Sequence, residues 1–419
     1  MVSFEFATAG RIVFGAGALQ TAGEILAALG SRPLVVTGRA TERAAGLLAL
    51  LGEQGARPVT FAVGGEPDVD IVRLGAALAR AERCDCVVGI GGGAALDAAK
   101  AVAILTTNPG DVMDYLEIIG GGRSLSEPPL PCVAIPTTAG TGSEVTRNSV
   151  IASREHRVKV SLRHLSMLPV AAVVDPELTY DLPPGLTATT GLDAVTQVIE
   201  PYVCTRANPF TDGLCLDGIE RVGRSLRTAF AGAPQGRAPM AGEMAIGRTD
   251  ADPTDGACGT RPGAVPAEFA AAREDMAVAS LFGGLALANA GLGAVHGIAG
   301  PLGGTIAAPH GAVCAALLPV VVKTNLLALR ARAPESAALR RYRRVARLLT
   351  GDPEAQADDA VDWLRRLVAD LQIPRLGSHG VDPADVAELA GKAARASAMK
   401  ANPIVLTREE LTAILEEAL

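Results

Sequence analysis

The hydrophobic period of the chain changes once, at Pro183-Pro184, and this change restricts the fold more than any motif does. Before it, β-branched runs alternate with longer amphipathic segments: Leu34–Thr37 then Ala40–Gln54, Pro58–Val63 then Val69–Arg83, Cys86–Ile90 then Ala94–Thr106. Val133–Pro136, Val158–Leu162 and Ala171–Val174 continue the series of strand-like runs. Strands separated by helix-length crossovers predict a parallel sheet clothed by helices. Beyond the prolines a helical period takes over in Leu192–Val203, Thr211–Phe230, Ala267–Ala290, Glu335–Leu349 and Ala357–Leu371. The expected architecture is therefore an α/β N-terminal domain with a parallel sheet over 1–182 and an all-α C-terminal domain over 183–419, a division that suits 419 residues. One segment interrupts the second half: Gly232–Ala264 is dense in Gly, Pro, Ala and Thr and lacks both aromatics and a hydrophobic period. It predicts a mobile surface insertion in which only Cys258 has side-chain chemistry.

Composition narrows the function classes. With 49% hydrophobic but only 3% aromatic residues, the core must be built from aliphatic side chains. A net charge of −7 lacks the basic footprint that a nucleic-acid backbone requires, so no nucleic-acid partner is expected. The N-terminal MVSFEFATAGRIVF has neither a basic start nor a long apolar run, which argues against a secretory leader. Apolar stretches such as Ala312–Val322 fall short of the roughly 20 residues of a spanning helix, so no membrane partner is expected. The seven cysteines include no C-x-x-C pair. Cys84 and Cys86 are expected on one face of a strand, and the set reads as reduced, buried thiols in a cytoplasmic protein.

Chemistry concentrates in two glycine-rich loops and one cluster of donors. In VVGIGGGAALDAAK a strand runs through Gly91, Gly92 and Gly93 into a helix, where bare backbone N–H groups and the helix dipole suit a pyrophosphate. Asp97, one turn in, is placed to accept a ribose or amide hydrogen bond or to offset the dipole. The competing reading is a tight packing turn. The second loop, Pro136-Thr137-Thr138-Ala139-Gly140-Thr141-Gly142-Ser143-Glu144, suits a dinucleotide lying across strand ends, or else is an ordinary Ser/Thr turn with a helix cap. Asp193 and Gln197 lie four apart on one helix face. His296 and His310 stand in the glycine-flanked sequences AVHGIAG and APHGAVC. One carboxylate, one amide oxygen and two imidazoles form a set acceptable to Fe²⁺ or Zn²⁺. Taken singly, His296 also fits a helix-packing seam and His310 a helix cap. His156, His164 and His379 sit in polar or loop context and are expected at the surface.

Taken in order, GGGAALDAAK, PTTAGTGSEVT, GLDAVTQVIEPYV and VHGIAGPLGGTIAAPHGAVCAALLP resemble the iron-containing (group III) metal-dependent alcohol dehydrogenase family. The likeness runs from GRIVFGAGAL to KANPIVLTREEL, with the Gly232–Ala264 segment extra. The resemblance implies a dinucleotide-binding domain, a helical metal-binding and substrate domain, and a cleft where NAD(P) and metal meet. The implied reaction is hydride transfer between the nicotinamide and a primary alcohol/aldehyde or small hydroxy-acid/oxo-acid pair. It also implies a homodimer or higher homo-oligomer. The ligand set would be Asp193, Gln197, His296 and His310, with Asp193, His296 and His310 as the catalytic residues. Gln197 stands where the family has histidine, and Gly300 where many members carry a further histidine that assists proton transfer. Gly38, Gly92, Gly93, Asp97, Thr137, Thr138, Thr141 and Lys159 match cofactor-contacting positions, with Ala94 in place of a common serine. Gly38 occupies the place of an aspartate found in many NAD-using relatives. Losing that carboxylate beside Arg39 and Arg43 favours NADP. The alternatives are a metal-independent maleylacetate-reductase type, a hydroxyacid-oxoacid transhydrogenase, and a non-catalytic dinucleotide-binding protein suggested by Gln197, Ala94 and Gly300.

Overall fold

The computed structural model describes residues 3–156, 158–234, 265–306 and 308–419. The strands are β1 Ile12–Phe14, β2 Pro33–Thr37, β3 Val59–Ala62, β4 Cys86–Gly91, β5 Cys132–Pro136, β6 Asn148–Ser153, β7 Val158–Arg163 and β8 Ala171–Val174. Six of them form one parallel sheet in the order β1-β8-β5-β4-β2-β3. The helices of this half are α1 Thr21–Ala27, α2 Ala45–Glu53, α3 Val69–Ala81, α4 Gly93–Thr107 and the short α5 Val112–Tyr115. Every residue of β2, β4, β5 and β8 is buried, because helices cover both faces and leave no polar side to alternate with. The chain winds outward from β2 to β3, then returns past β2 to β4 and continues the other way, so the winding direction reverses between β2 and β4. In an open parallel sheet that crevice, beyond the carboxyl ends of the strands, is where a ligand fits.

Val158–Leu162 departs from expectation. As β7 it pairs antiparallel with β6, Asn148 opposite Arg163 and Ser153 opposite Val158, in a separate two-stranded ribbon. The connection from Ser153 to Val158 is too short for a parallel crossover and permits only a hairpin. Alternate residues Ser149, Ile151 and Ser153 are buried, and Ser149 Oγ donates to the Asp97 carbonyl of α4 at 2.8 Å. The paired-cysteine expectation also fails. Arg83 adopts φ +52, so Cys84 precedes the strand and packs with Leu34 and Val87, whereas Cys86 lies within β4 and packs with Val35 and Val88 on the other side. The six cysteines among the described residues are free and buried.

From Pro184 onward the described chain is helical: α6 Pro184–Val203, α7 Pro209–Ala231, α8 Ala267–Asn289, α9 Ala294–Gly303, α10 His310–Arg332, α11 Ala337–Thr350, α12 Ala357–Asp370, α13 Val386–Ala393 and α14 Arg408–Ala418. Residues 235–264, most of the expected insertion, lie outside the described residues. The apolar run at Ala312–Val322 belongs to a longer element than expected, since α10 spans 23 residues and is apolar enough to cross a membrane. It is instead the central helix of this half, with 78% of its apolar window buried inside the protein. Asn325, three residues beyond that run, is itself buried and donates to Tyr342 Oη at 3.0 Å.

The two halves meet without side chains at one point. Gly142, in the loop after β5, has φ +61, and a Cβ built on it would lie 2.4 Å from Gly284 Cα of α8. Val145, Leu281 and Leu285 pack around this contact. Left-handed backbone and zero clearance together predict that Gly142→Ala costs about 2–4 kcal/mol, read as a lowered thermal midpoint.

Candidate active site

The carboxyl ends of β2, β4 and β5 bring the two glycine-rich loops together. Gly91 pairs in register with Pro136, and Thr137 N donates to Gly91 O at 2.9 Å. Helix α4 begins at Gly93 with Gly92 as its N-cap, which supplies no side-chain cap. Side-chain hydroxyls take up the adjoining space: a Cβ on Gly93 would lie 2.9 Å from Thr141 Oγ1, and one on Gly92 3.5 Å from Thr138 Oγ1. Gly38 follows β2, its amide nitrogen 3.3 Å from a Cβ built on Gly91. Gly38, Gly92, Gly93, Thr138 and Thr141 therefore lie close together at the winding reversal, with Thr137 joining the two loops through its backbone. Asp97 is engaged within the protein. Its Oδ1 accepts from Ser143 Oγ at 2.5 Å and lies 3.1 Å from Lys100 Nζ, and its Oδ2 accepts from Val150 N at 2.8 Å. Of the two arginines near Gly38, Arg43 pairs with Asp181 at 2.7 Å, while the exposed Arg39 donates to Gly64 O at 2.8 Å.

Across the cleft, α6 presents Asp193, Gln197 and Glu200 along one face, all at most 5% exposed. Gln197 Nε2 donates to Asp193 Oδ2 at 3.1 Å. Between α8 and α9 the chain turns by 93°, and a Cβ on Gly293 would stand 2.9 Å from Glu200 Oε1. That bare position lets the start of α9 rest on the carboxylate: Val295 N donates to Glu200 Oε1, and His296 Nδ1 lies against Oε2, each at 2.7 Å. With Nδ1–H so engaged, His296 Nε2 faces Asp193 Oδ1 at 3.4 Å. His310 opens α10, its ring centroid 5.4 Å from that of His296. Helix α10 reaches this place because a Cβ on Gly311 would meet Thr189 O at 2.3 Å. One turn further, Cys314 Sγ lies 3.5 Å from His310 Nε2. Donor atoms of Asp193, His296, His310 and Cys314 all fall within 4.8 Å of one another.

Asp193 Oδ1 and Gln197 Oε1 are buried without a hydrogen-bond donor. Each such oxygen costs about 1–3 kcal/mol, and a divalent cation among two imidazoles would relieve that cost at Asp193. The side chains alone show the same tension. Burial disfavours a charged His296, yet the carboxylates of Asp193 and Glu200 beside it prevail and push it up to about 10. Burial and the neighbouring His296 depress His310, the Asp193 charge notwithstanding.

Glu200 and Cys314 were not among the residues singled out from sequence. Glu200 had a signal, since it continues the Asp193, Gln197 face by three residues. Cys314 had only its place one turn after His310. Lys159, on β7, pairs with Glu66, and its Nζ is 2.9 Å from a Cβ built on Gly303 of α9, so it stands between the loops and the donor cluster. At Gly300 a Cβ would meet nothing within 4 Å. His156 and His164 are exposed, as expected. His379, at the end of the 3₁₀ turn Leu376–His379, is half-buried, and its Nε2 is buried without a partner.

A dinucleotide crevice facing a cluster of carboxylate and imidazole donors defines a metal- and nicotinamide-dependent oxidoreductase. The chain belongs to the iron-containing alcohol dehydrogenase family, whose models match residues 9–176 ("Iron-containing alcohol dehydrogenase") and residues 187–252 and 264–419 (its C-terminal domain). It is 36% identical to alcohol dehydrogenase 4 of Schizosaccharomyces pombe, over 84% of this chain and 73% of that one. It is 35% identical to the 1,3-propanediol dehydrogenase of Klebsiella pneumoniae, over 83% and 79%. Among solved structures, a 1,3-propanediol oxidoreductase superposes over 100% of both chains with TM-score 0.85 at 32% identity. A sulfoacetaldehyde reductase from Bifidobacterium kashiwanohense in complex with NAD⁺ superposes over 100% of this chain and 99% of that one, with TM-score 0.80 at 25% identity. The chain is an alcohol dehydrogenase or aldehyde reductase that works with a metal and a nicotinamide cofactor.

The second loop also carries Glu144, wholly buried with Oε2 unpartnered. Burial pushes its carboxyl up from 4.5 to about 7, against the opposing pull of its own backbone N–H and Lys100. A folded value above the unfolded one means that the folded protein holds the proton more tightly. This contribution to stability is complete below about 4.5 and lost as pH rises through about 7. Glu144→Gln should therefore leave urea stability near pH 5 almost unchanged and raise it at pH 8, by up to ~3 kcal/mol.

Proposed function

We propose that this chain is an NADPH-linked reductase of small aldehydes or oxo-acids, reversible toward the alcohol or hydroxy-acid, acting in the cytoplasm as a homodimer. The observation that carries the reading is the buried, donorless Oδ1 of Asp193, set against His296 and His310. Residues 1–182 would form the dinucleotide domain and 183–419 the metal and substrate domain. Gly92 and Gly93 would admit the pyrophosphate at the start of α4, with Thr138 and Thr141 as hydroxyl partners and Thr137 holding the second loop to the first. Asp97 would serve by fixing α4 to that second loop and to the hairpin. Gly38 leaves room for a 2′-phosphate that a carboxylate would repel, and the exposed Arg39 is the nearby cation free of a carboxylate partner.

Asp193, His296 and His310 would hold Fe²⁺ or Zn²⁺, with Gln197 at the fourth position that the resemblance names. When bound, the metal supplies Lewis-acid polarisation of the substrate oxygen beside the nicotinamide. The protein contributes placement. Glu200 engages Nδ1 of His296, so that with a cation bound Nε2 would present its lone pair toward the cluster, and Asp193 supplies negative charge to retain a cation. Lys159, steadied by Glu66, is a cation at the mouth between the two domains. Gly300 puts no side chain there, and the choice of small substrates follows those named for the propanediol and sulfoacetaldehyde relatives.

Metal analysis of the purified protein, followed by an aldehyde panel with NADH and NADPH before and after chelation, tests this reading. Chelation should abolish turnover, and Asp193→Ala should lower both metal content and turnover ~100-fold or more, whereas Gln197→His should tighten metal retention. Turnover that survives chelation would favour the metal-independent alternative. Loss of Arg39 in Arg39→Ala should lower kcat/KM for NADPH about tenfold and leave NADH unaffected. Equal losses with both cofactors would remove the NADP assignment.

A further inference from the structure

We propose that Cys314 supplies a thiolate ligand to the catalytic metal, taking the donor role that histidine fills in the family at the position of Gln197, while Gln197 positions Asp193. The inference rests on the metal-dependent reading above and names the donor set within it.

Geometry favours sulfur over the amide. Cys314 is wholly buried, one turn along α10 from His310, so both side chains project from the same helix face into the cluster. Zinc bonds of about 2.0–2.1 Å to nitrogen or oxygen and about 2.3 Å to sulfur place neighbouring donors of a tetrahedron ~3.3–3.6 Å apart. The measured edges are 3.4 Å from Asp193 Oδ1 to His296 Nε2 and 3.5 Å from His310 Nε2 to Cys314 Sγ. All four donor atoms lie within 4.8 Å of one another. A second observation points the same way: Asp193 is 2% exposed, and its Oδ1 faces this cluster without accepting a hydrogen bond.

Gln197 is turned otherwise. Its Nε2 donates to Asp193 Oδ2, and its Oε1 points toward α8, 3.4 Å from where a Cβ on Gly283 would stand. To ligate through oxygen the amide must swing round and give up its bond to Asp193. Left as it is, it engages Oδ2 and keeps Oδ1 directed at the cluster.

The chemistry balances without any redox change. The S–H bond breaks, a sulfur–metal bond forms, and the thiol proton leaves to solvent together with the Nε2 proton of a protonated His296. Asp193 and the thiolate together neutralise a divalent ion, which one carboxylate and an amide do not. A thiolate also makes the site softer, so the chain should prefer Zn²⁺ to Fe²⁺. Four protein donors leave the substrate oxygen to enter as a fifth.

The test uses the full-length protein, stripped of metal and reloaded with Co²⁺. The wild type should bind one Co²⁺ per chain and show the intense near-ultraviolet thiolate-to-cobalt absorption. That band should vanish in Cys314→Ser and in Cys314→Ala and persist in Gln197→Ala. Zn²⁺ retention against a chelator should fall ~10–100-fold in the two Cys314 variants. Far-ultraviolet circular dichroism and melting establish that they fold, and X-ray absorption of the zinc-loaded wild type should find one sulfur neighbour irrespective of any variant. Stoichiometric Co²⁺ without the band, or a band that survives loss of Cys314, would overturn the thiolate ligand and leave the metal-dependent reading intact. If the wild type binds no more Co²⁺ than Asp193→Ala does, the metal-dependent reading falls, and this inference with it.

Discussion

The buried carboxylate of Glu200 ties the helical half together at the point where chemistry is assembled. One oxygen accepts the backbone N–H of Val295 and the other engages His296 Nδ1, so a single side chain on α6 sets both the start of α9 and the direction of an imidazole. The contact exists because Gly293 has no side chain to hold the two helices apart. Asn402 completes it from the far end of the chain, accepting from Ala294 N at 3.0 Å and pairing with Asn325 of α10. Buried groups of this kind are costly unless every lone pair and proton is matched, and matching them locks the helices into one arrangement. His296, Asp193 and, through α10, His310 inherit their positions from that arrangement.

On the cofactor side, backbone does the corresponding work. The crevice is made where the winding of the sheet reverses, and its walls are glycines and small hydroxyl residues. The β4 and β5 loops can therefore approach to hydrogen-bonding distance with no side chain between them. Asp97 and Lys100 act from underneath: the aspartate joins α4 to Ser143 and Val150, and the buried lysine holds Ser143 O and Thr146 Oγ1. The second loop is thus tied from below at Ser143 and Thr146. The Gly142–Gly284 contact then brings that loop against α8, and so toward α6 and its donors.

Much of this was legible along the chain. β2, β4, β5 and β8 are continuous apolar runs followed by turn residues, and α11 and α12 are strongly amphipathic, so local pattern alone locates them. β1 escaped notice because three residues carry no period, and β6 because Asn148–Ser153 is half polar and finds its partner only in the hairpin. Helix α9 was hidden by its glycines and Pro301, which score against a helix even though burial stabilises one there. At the site, Asp193, Gln197, His296 and His310 could be named because donor residues are scarce in so aliphatic a chain. The engagement of Asp97 inside the protein could not be read, since its partners lie 46 and 53 residues away.

The sequence by itself determined the sheet-then-helix architecture, the two glycine turns and the supply of metal-binding atoms, because these depend on local period, on absent side chains and on residue chemistry. Only the tertiary structure decided which of those atoms share a point. It turned Gln197 toward Asp193 instead of outward, brought His310 and Cys314 to Asp193 and His296, and set Glu200 behind His296. The physical reason is that donor geometry is fixed by the crossing of α6, α9 and α10, and those crossings follow from close packing among residues separated by up to about a hundred positions.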